Sequence, residues 1–277
     1  MTDRGKGQAS RKWALISGLV VLAIATILLL AYPRTTAALR WKPGFDPLTS
    51  DPRVFFEPGA STAAQQFADA LPEALARVEE THGLPFVGDF RLYICSTHQS
   101  FVGHLDLPRD SPVRGMVMRD IWLSPLVFDF HGRDTHRESL AHELSHLHVR
   151  QHLGWRKSVQ GIPTWFAEGL ADVAADTGGE IFTRQMALSA FAEGRHFVPD
   201  AYGRFPIPRG LLDYGVPAPL LHQQSRMFVE YLQADDPTGF RSFVVEVLHG
   251  AAFPTAFQER FERDLDRAWQ DFLRSLE

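Results

Sequence analysis

The five residues His142-Glu143-Leu144-Ser145-His146 put two imidazoles and a carboxylate within reach of one another. They lie in 139–149, a run with helix-forming character. On a helix, positions i and i+4 sit one turn apart on the same face, so His142 and His146 can bind one metal ion. Glu143 projects from the same side, close enough to reach a water on that ion. Two neutral nitrogen donors, an open coordination position and a carboxylate to take a proton form the set that zinc-dependent hydrolysis requires. With 12 His in 277 residues, chance alone gives H-E-x-x-H in on the order of a few such chains per hundred, so the surroundings must carry the reading. Leu140, Leu144 and Leu147 form an apolar stripe at helical spacing. Asp134 and Thr135 are N-cap candidates upstream, and Gly154 offers a stop.

The third ligand comes from the next segment, Gly161-Ile162-Pro163-Thr164-Trp165-Phe166-Ala167-Glu168-Gly169-Leu170-Ala171-Asp172. Pro163 suits the start of a new helix. Glu168 and Asp172 then share one face, one turn apart. Glu168 can complete a two-His, one-Glu site with a fourth position left for water. Asp172 can accept the distal N–H of a ligating His and fix its tautomer. Gly169 lacks a side chain, so this helix can approach the first one closely.

H-E-L-S-H followed by W-F-A-E-G-L-A-D resembles the gluzincin metallopeptidases, the group that includes thermolysin and the zinc aminopeptidases. The wording is closest to the small bacterial peptidase MA-like domains, most specifically over 134–176 and more weakly to the C-terminus. The resemblance implies His142, His146 and Glu168 as Zn2+ ligands, Glu143 as general base and Asp172 as the group that orients a ligand His. It also implies that an edge strand before the active helix pairs with the substrate backbone, a role that would fall to 115–125. Gluzincins draw an oxyanion donor from a Tyr or His downstream of the third ligand, and the related small domains carry Tyr-x-Gln-Ser there. This chain has His222-Gln223-Gln224-Ser225, which makes His222 the candidate donor in the place of that Tyr, with Tyr214 as the alternative.

Other histidines call for plainer roles. His148 and His152 are four apart, but Val149 follows His148 where a base would be needed. They are expected to point away from the metal face as solvated or capping side chains. His131 and His136 precede the helix and fit a loop, or the rim of the cleft.

The N-terminus carries a different signal. Residues 13–32 run for about twenty positions without a charge, enough to span a bilayer, with Trp13 and Tyr32 at the two interfaces. The run is long for a cleaved signal peptide, although Thr35-Thr36-Ala37-Ala38 offers small residues to a signal peptidase. Arg4, Lys6, Arg11 and Lys12 stand before it and Arg34, Arg40 and Lys42 after it. That bias is slight, but with a large domain behind the helix it fits a signal anchor that places the domain outside the cytoplasm. The net charge of −5 and the lack of a basic block exclude nucleic acid as a partner. Cys95 is the single cysteine, so no intrachain disulfide forms. It lies in an alternating β-prone run, 90–95, as a small core residue.

The sequence therefore predicts an α+β, zincin-like catalytic domain with an N-terminal transmembrane helix. Residues 1–12 form a basic tail, 13–32 the anchor, 33–59 a proline-rich juxtamembrane spacer, and 60–277 the catalytic domain. Within it, 60–80 reads as a helix with Phe67, Leu71, Leu75 and Val78 inward, 90–95 as a strand, and 115–125 as one or two more. The segment 195–221, rich in Pro, Gly and aromatics, reads equally as a lid over a cleft or as packing over the core. Phe253, Phe257, Phe261, Leu265, Trp269 and Leu273 form a core-facing stripe. The predicted function is a membrane-anchored zinc metallopeptidase that hydrolyses a peptide or protein substrate by attack of a zinc-activated water. Two competitors differ in class: a pseudoprotease that binds a partner protein through 195–221, and a zinc hydrolase of a non-peptide bond. An intact Glu143 speaks against the first, because a binding module needs no base. Oligomeric state is not legible in the sequence.

Overall fold

Apolar residues at helical spacing set the frame. The computed structural model describes residues 17, 42, 44–176, 183–201 and 209–277. The first long helix, α1 (Ser61–His82), buries Ala64, Phe67, Leu71, Ala74 and Val78 along one face. It ends at Gly83, whose left-handed backbone (φ 75°) lets its N–H close back on the Glu79 carbonyl. Against it lies a five-stranded sheet of β1 (Asp46–Pro47), β2 (Val54–Phe56), β3 (Leu92–Ile94), β4 (Gly115–Val117) and β5 (Ile121–Leu123), in the order β1-β2-β3-β5-β4. The inner pairs β2/β3 and β3/β5 are parallel; the outer pairs are antiparallel. Alternation sorts the side chains: Leu92, Ile94, Ile121 and Leu123 enter the core under α1, whereas Tyr93 and Trp122 face the other side with helix α2 (His98–Leu105).

The H-E-x-x-H segment lies on α3 (His136–Gln160), which packs against α1 and the edge strand β4. Gly154 does interrupt it, with φ 72° and ψ 163°, so the metal-binding residues occupy a straight first segment. Then follow α4 (Thr164–Ala175), α5 (Arg184–Ala192), α6 (Ala218–Asp235), α7 (Pro237–Leu248), α8 (Phe253–Phe261) and α9 (Leu265–Ser275). These helices enclose a second core rich in aromatics, including Trp165, Phe166, Phe228, Phe243 and Trp269. Helix α4 belongs to both cores: Trp165, Phe166 and Leu170 enter the helical one, Ala174 and Ala175 the one beneath the sheet.

Three expectations need correction. The α+β zincin-like class is not the architecture found: nine α-helices dominate the described residues, and the five strands are only two or three residues long. The cause lies downstream of Gln160, where apolar positions recur every three to four residues and bury as helices. Second, the expected membrane anchor at 13–32 lies outside the described residues, apart from residue 17, and no helix among the described residues is long and apolar enough to cross a membrane. The transmembrane helix, and the extracytoplasmic placement that depended on it, thus find no support among the described residues. Third, the segment expected as a spacer, 33–59, supplies β1 and β2 to the sheet. The C-terminal stripe is buried as expected at Phe253, Phe257, Phe261, Leu265 and Trp269, but it divides between α8 and α9 at Glu262, where φ is 52°.

Candidate metal centre

Helix α3 has two faces. Leu140, Leu144 and Leu147 enter the core under the sheet. His142, Glu143 and His146 turn the other way, into a cleft of about 700 Å³ that Glu168, Asp172 and His222 also line. Glu168 and Asp172 come from α4, and His222 from the first turns of α6. Gly169 makes a close approach possible, but between α4 and α6 rather than between α4 and α3 as expected. A Cβ there would stand 2.7 Å from the Ser225 carbonyl oxygen and 2.9 Å from Val229 Cγ2. The bare backbone lets α6 lie tight on α4 beside Glu168.

The ligating atoms converge. His142 Nε2 and His146 Nε2 are 3.0 Å apart, and Glu168 Oε2 is 3.3 Å from each. Ligands about 2.0 Å from a tetrahedral ion stand about 3.3 Å from one another, so these three atoms already have the spacing of one face of such a site. His222 Nε2 lies 3.7 Å from the same Glu168 oxygen. His142, Glu168 and His222 form a group able to hold a metal ion, and the 3.0 and 3.3 Å separations give His142, His146 and Glu168 an equal claim.

Asp172 connects two of these rings. Its Oδ1 accepts from His142 Nδ1 at 2.9 Å and its Oδ2 from His222 Nδ1 at 3.0 Å. An ionised carboxylate can only accept, so both imidazoles carry their proton on Nδ1 and turn Nε2 toward the centre. Sequence reasoning assigned Asp172 one histidine; the structure gives it two. In a neutral His222, Nε2 presents a lone pair; it becomes a donor only when the ring carries both protons.

Electrostatics favour positive charge here. Burial pushes Glu168 up, but the charge of His146 and the hydrogen bonds from His142 and His146 hold its carboxyl well below the usual range. Burial likewise acts against ionised Asp172, and His222 and His142 reverse it. Burial lowers both His142 and His222, yet the carboxylates outweigh it and raise them. Burial pushes Glu143 up, only partly countered by His142 and His146. The buried carboxylates and the imidazoles thus offset one another, and a bound cation would take the place of the rings' added protons.

Glu143 depends on a residue that the sequence did not single out. A Cβ on Gly115 would lie 2.5 Å from Glu143 Oε1 and 2.7 Å from its Cγ. The edge strand β4 thus passes so close to the carboxylate that only glycine fits. No periodicity marks such a position, because it is set by contact between distant elements.

Other candidates fall elsewhere. Tyr214 is buried, donates to Asp200 Oδ1 at 2.8 Å, and does not line the cleft. Burial and Asp200 raise its phenol further. His148, expected to be solvated or capping, is fully buried. Its Nε2 donates to the Leu84 carbonyl (3.0 Å), so its Nδ1 accepts from His82 Nδ1 (3.0 Å), and His82 Nε2 accepts from Ser145 (2.9 Å). These neutral rings tie α3 to α1; His82, sixty residues upstream, gave no sequence signal. His152 donates to the Pro85 carbonyl. His136 is buried, stacked on Phe128, with Asp134 2.5 Å from its Nδ1. Of the segment 195–221, in which 202–208 lie outside the described residues, Phe197 and Tyr214 join the helical core, while Arg209, Gly210 and Leu211 line the cleft.

Neither the protein-family models nor the curated proteins contain a match to this chain.

Proposed function

We propose that this chain is a zinc-dependent hydrolase of peptide bonds with a gluzincin-type centre. The observation that supports it most is the double hydrogen bond of Asp172, which turns His142 and His222 so that both Nε2 atoms face Glu168 beside His146. Nitrogen and carboxylate donors at tetrahedral spacing suit zinc. His142, His146 and Glu168 would hold the ion. When bound, zinc supplies Lewis-acid polarisation of a carbonyl and brings the pKa of water to about 7.

The chain's own residues supply the rest. Glu143, beside the ligands on α3, takes the proton of the attacking water and delivers it to the leaving amine. His222, carrying both protons, donates from Nε2 to the oxygen on which charge develops, while Asp172 holds its other nitrogen. The edge strand β4, lining the cleft next to Glu143, offers backbone groups to an extended substrate.

A second reading rests on the same His142–Glu168–His222 group. A neutral His222 would be a further ligand, and four protein ligands make a closed, structural site. The deciding experiment measures zinc content by mass spectrometry beside cleavage of a peptide library. Glu143→Gln should keep about one zinc per chain and lose turnover, because the ligands survive and the proton acceptor does not. A fully active Glu143→Gln enzyme, or wild-type protein that takes up no zinc, would refute the proposal. Loss of zinc in His222→Ala would favour the closed site.

A further inference from the structure

The cleft contains a guanidinium that the chemistry above leaves unused. Arg150 follows His146 by four residues on α3, so it lies on the same face about 6 Å further along the axis. Nη1 donates to the Val117 carbonyl oxygen at 3.0 Å and to that of Met118, at the end of β4. Nε is buried without a hydrogen-bond partner. The other arginines of the cleft are engaged differently. Arg114 donates to Thr135 and lies over the Phe130 ring. Arg209 faces Asp200 at 3.7 Å and covers Tyr214. The hydrogen-bond partners of Arg150 are neutral carbonyls; the carboxylate that influences its charge is Glu143, the proposed base. Arginine does not shed its charge by losing a proton. A largely buried guanidinium with no dedicated counter-ion is costly unless something in the cleft completes it.

From this we infer that Arg150 recognises a carboxylate on the substrate, two residues or so from the bond that is cleaved. The distance follows from the helix: about 6 Å along α3, at about 3.3–3.6 Å per extended residue. The geometry suits it as well. With Nη1 committed to β4 and Nε enclosed, Nη2 is the nitrogen that remains to meet a carboxylate in a charge-assisted hydrogen bond. The carboxylate is either a C-terminus or an acidic side chain. In both cases Arg150 acts on specificity, while His142, His146, Glu168 and Glu143 act on the bond. The inference rests on the proposed metal centre.

The test uses binding, so it does not depend on turnover. The zinc-loaded full chain would be titrated by calorimetry with the monohydroxamates of succinate, glutarate and adipate, each beside its carboxamide counterpart. One of the acids should bind about 10- to 100-fold more tightly than its amide, the factor expected from a charge-assisted hydrogen bond. Arg150→Met should erase that preference and leave amide affinity and zinc content unchanged; Arg150→Lys should restore part of it. Equal binding of acid and amide to the wild type would overturn the inference. So would an Arg150→Met variant weakened equally toward both, which would reduce Arg150 to a tether for β4. If no hydroxamate bound at all, the metal centre itself would be refuted and the inference with it. Peptides with a free C-terminus, against amidated ones with Glu at the same place, identify the source of the carboxylate.

Discussion

Asparagine at position 172 offers a sharp trial of the centre. The two oxygens of Asp172 accept from His142 Nδ1 at 2.9 Å and from His222 Nδ1 at 3.0 Å. Asp172→Asn keeps the shape and one acceptor but turns the other oxygen into an NH2 donor. One imidazole then faces a donor with a donor. It can move its proton to Nε2, which removes the lone pair from the centre, or rotate away. A hydrogen bond to a buried charged group contributes about 1.5–3 kcal/mol, and a tenfold change in affinity corresponds to about 1.4 kcal/mol. The expected loss of zinc affinity is therefore about 10- to 100-fold, and Asp172→Ala, which removes both acceptors, should exceed it. Competition against a chromophoric chelator measures it, for wild type, Asp172→Asn, His222→Ala and the double variant. If asparagine keeps its oxygen on His222, the loss falls on the ligand His142; if it keeps His142, zinc affinity falls only where His222 is itself a ligand, and the double variant then loses no more than His222→Ala alone. An Asp172→Ala variant that binds zinc within about twofold of wild type would show that this carboxylate does not fix the rings.

Two glycines carry further predictions. Gly115→Ala should push the Glu143 carboxylate by nearly an ångström, from a 2.5 Å clash, and lower kcat on the order of 10²-fold while zinc content is unchanged; wild-type turnover would disprove the contact. Gly169→Ala puts a methyl 2.7 Å from a backbone oxygen of α6, which cannot swing aside, and should cost about 1–3 kcal/mol in urea unfolding. An unchanged midpoint would mean that α4 and α6 are not pressed together.

The readable parts of this molecule are local. His142, Glu143 and His146 lie within one turn of a helix, and Glu168 and Asp172 within one turn of the next, so spacing alone located them. His222 came from the resemblance rather than from spacing, because its alignment with Glu168 depends on two helices meeting at Gly169, 53 positions before it. Arg150 could have been found, four residues after His146. Gly115 and His82 could not, since their importance comes entirely from what lies against them. The fold class was misread because the short strands at 92–94, 115–117 and 121–123 are the clearest β signal in the chain, and they were weighted as if they continued. The helical half, with its aromatic residues every third or fourth position, supplies more of the structure than those strands do.

The division of the interior into two cores bears on more than catalysis. His142 and His146 ride on a helix whose apolar side belongs to the core under the sheet, whereas His222 rides on one rooted in the aromatic helical core, with Glu168 on the helix they share. An ion held by His142 and His146 on one helix and Glu168 on the shared one would be a rivet at the seam between the two cores. Anything bound only to the folded chain stabilises it by mass action, by about 2.7 kcal/mol at a hundred times its dissociation constant. Here that free energy falls on the joint, so the ion would decide whether the halves melt as one body or in turn. Stripping it should split a single unfolding transition into two before it shifts either far, and a calorimeter would see the cleft come apart without any substrate.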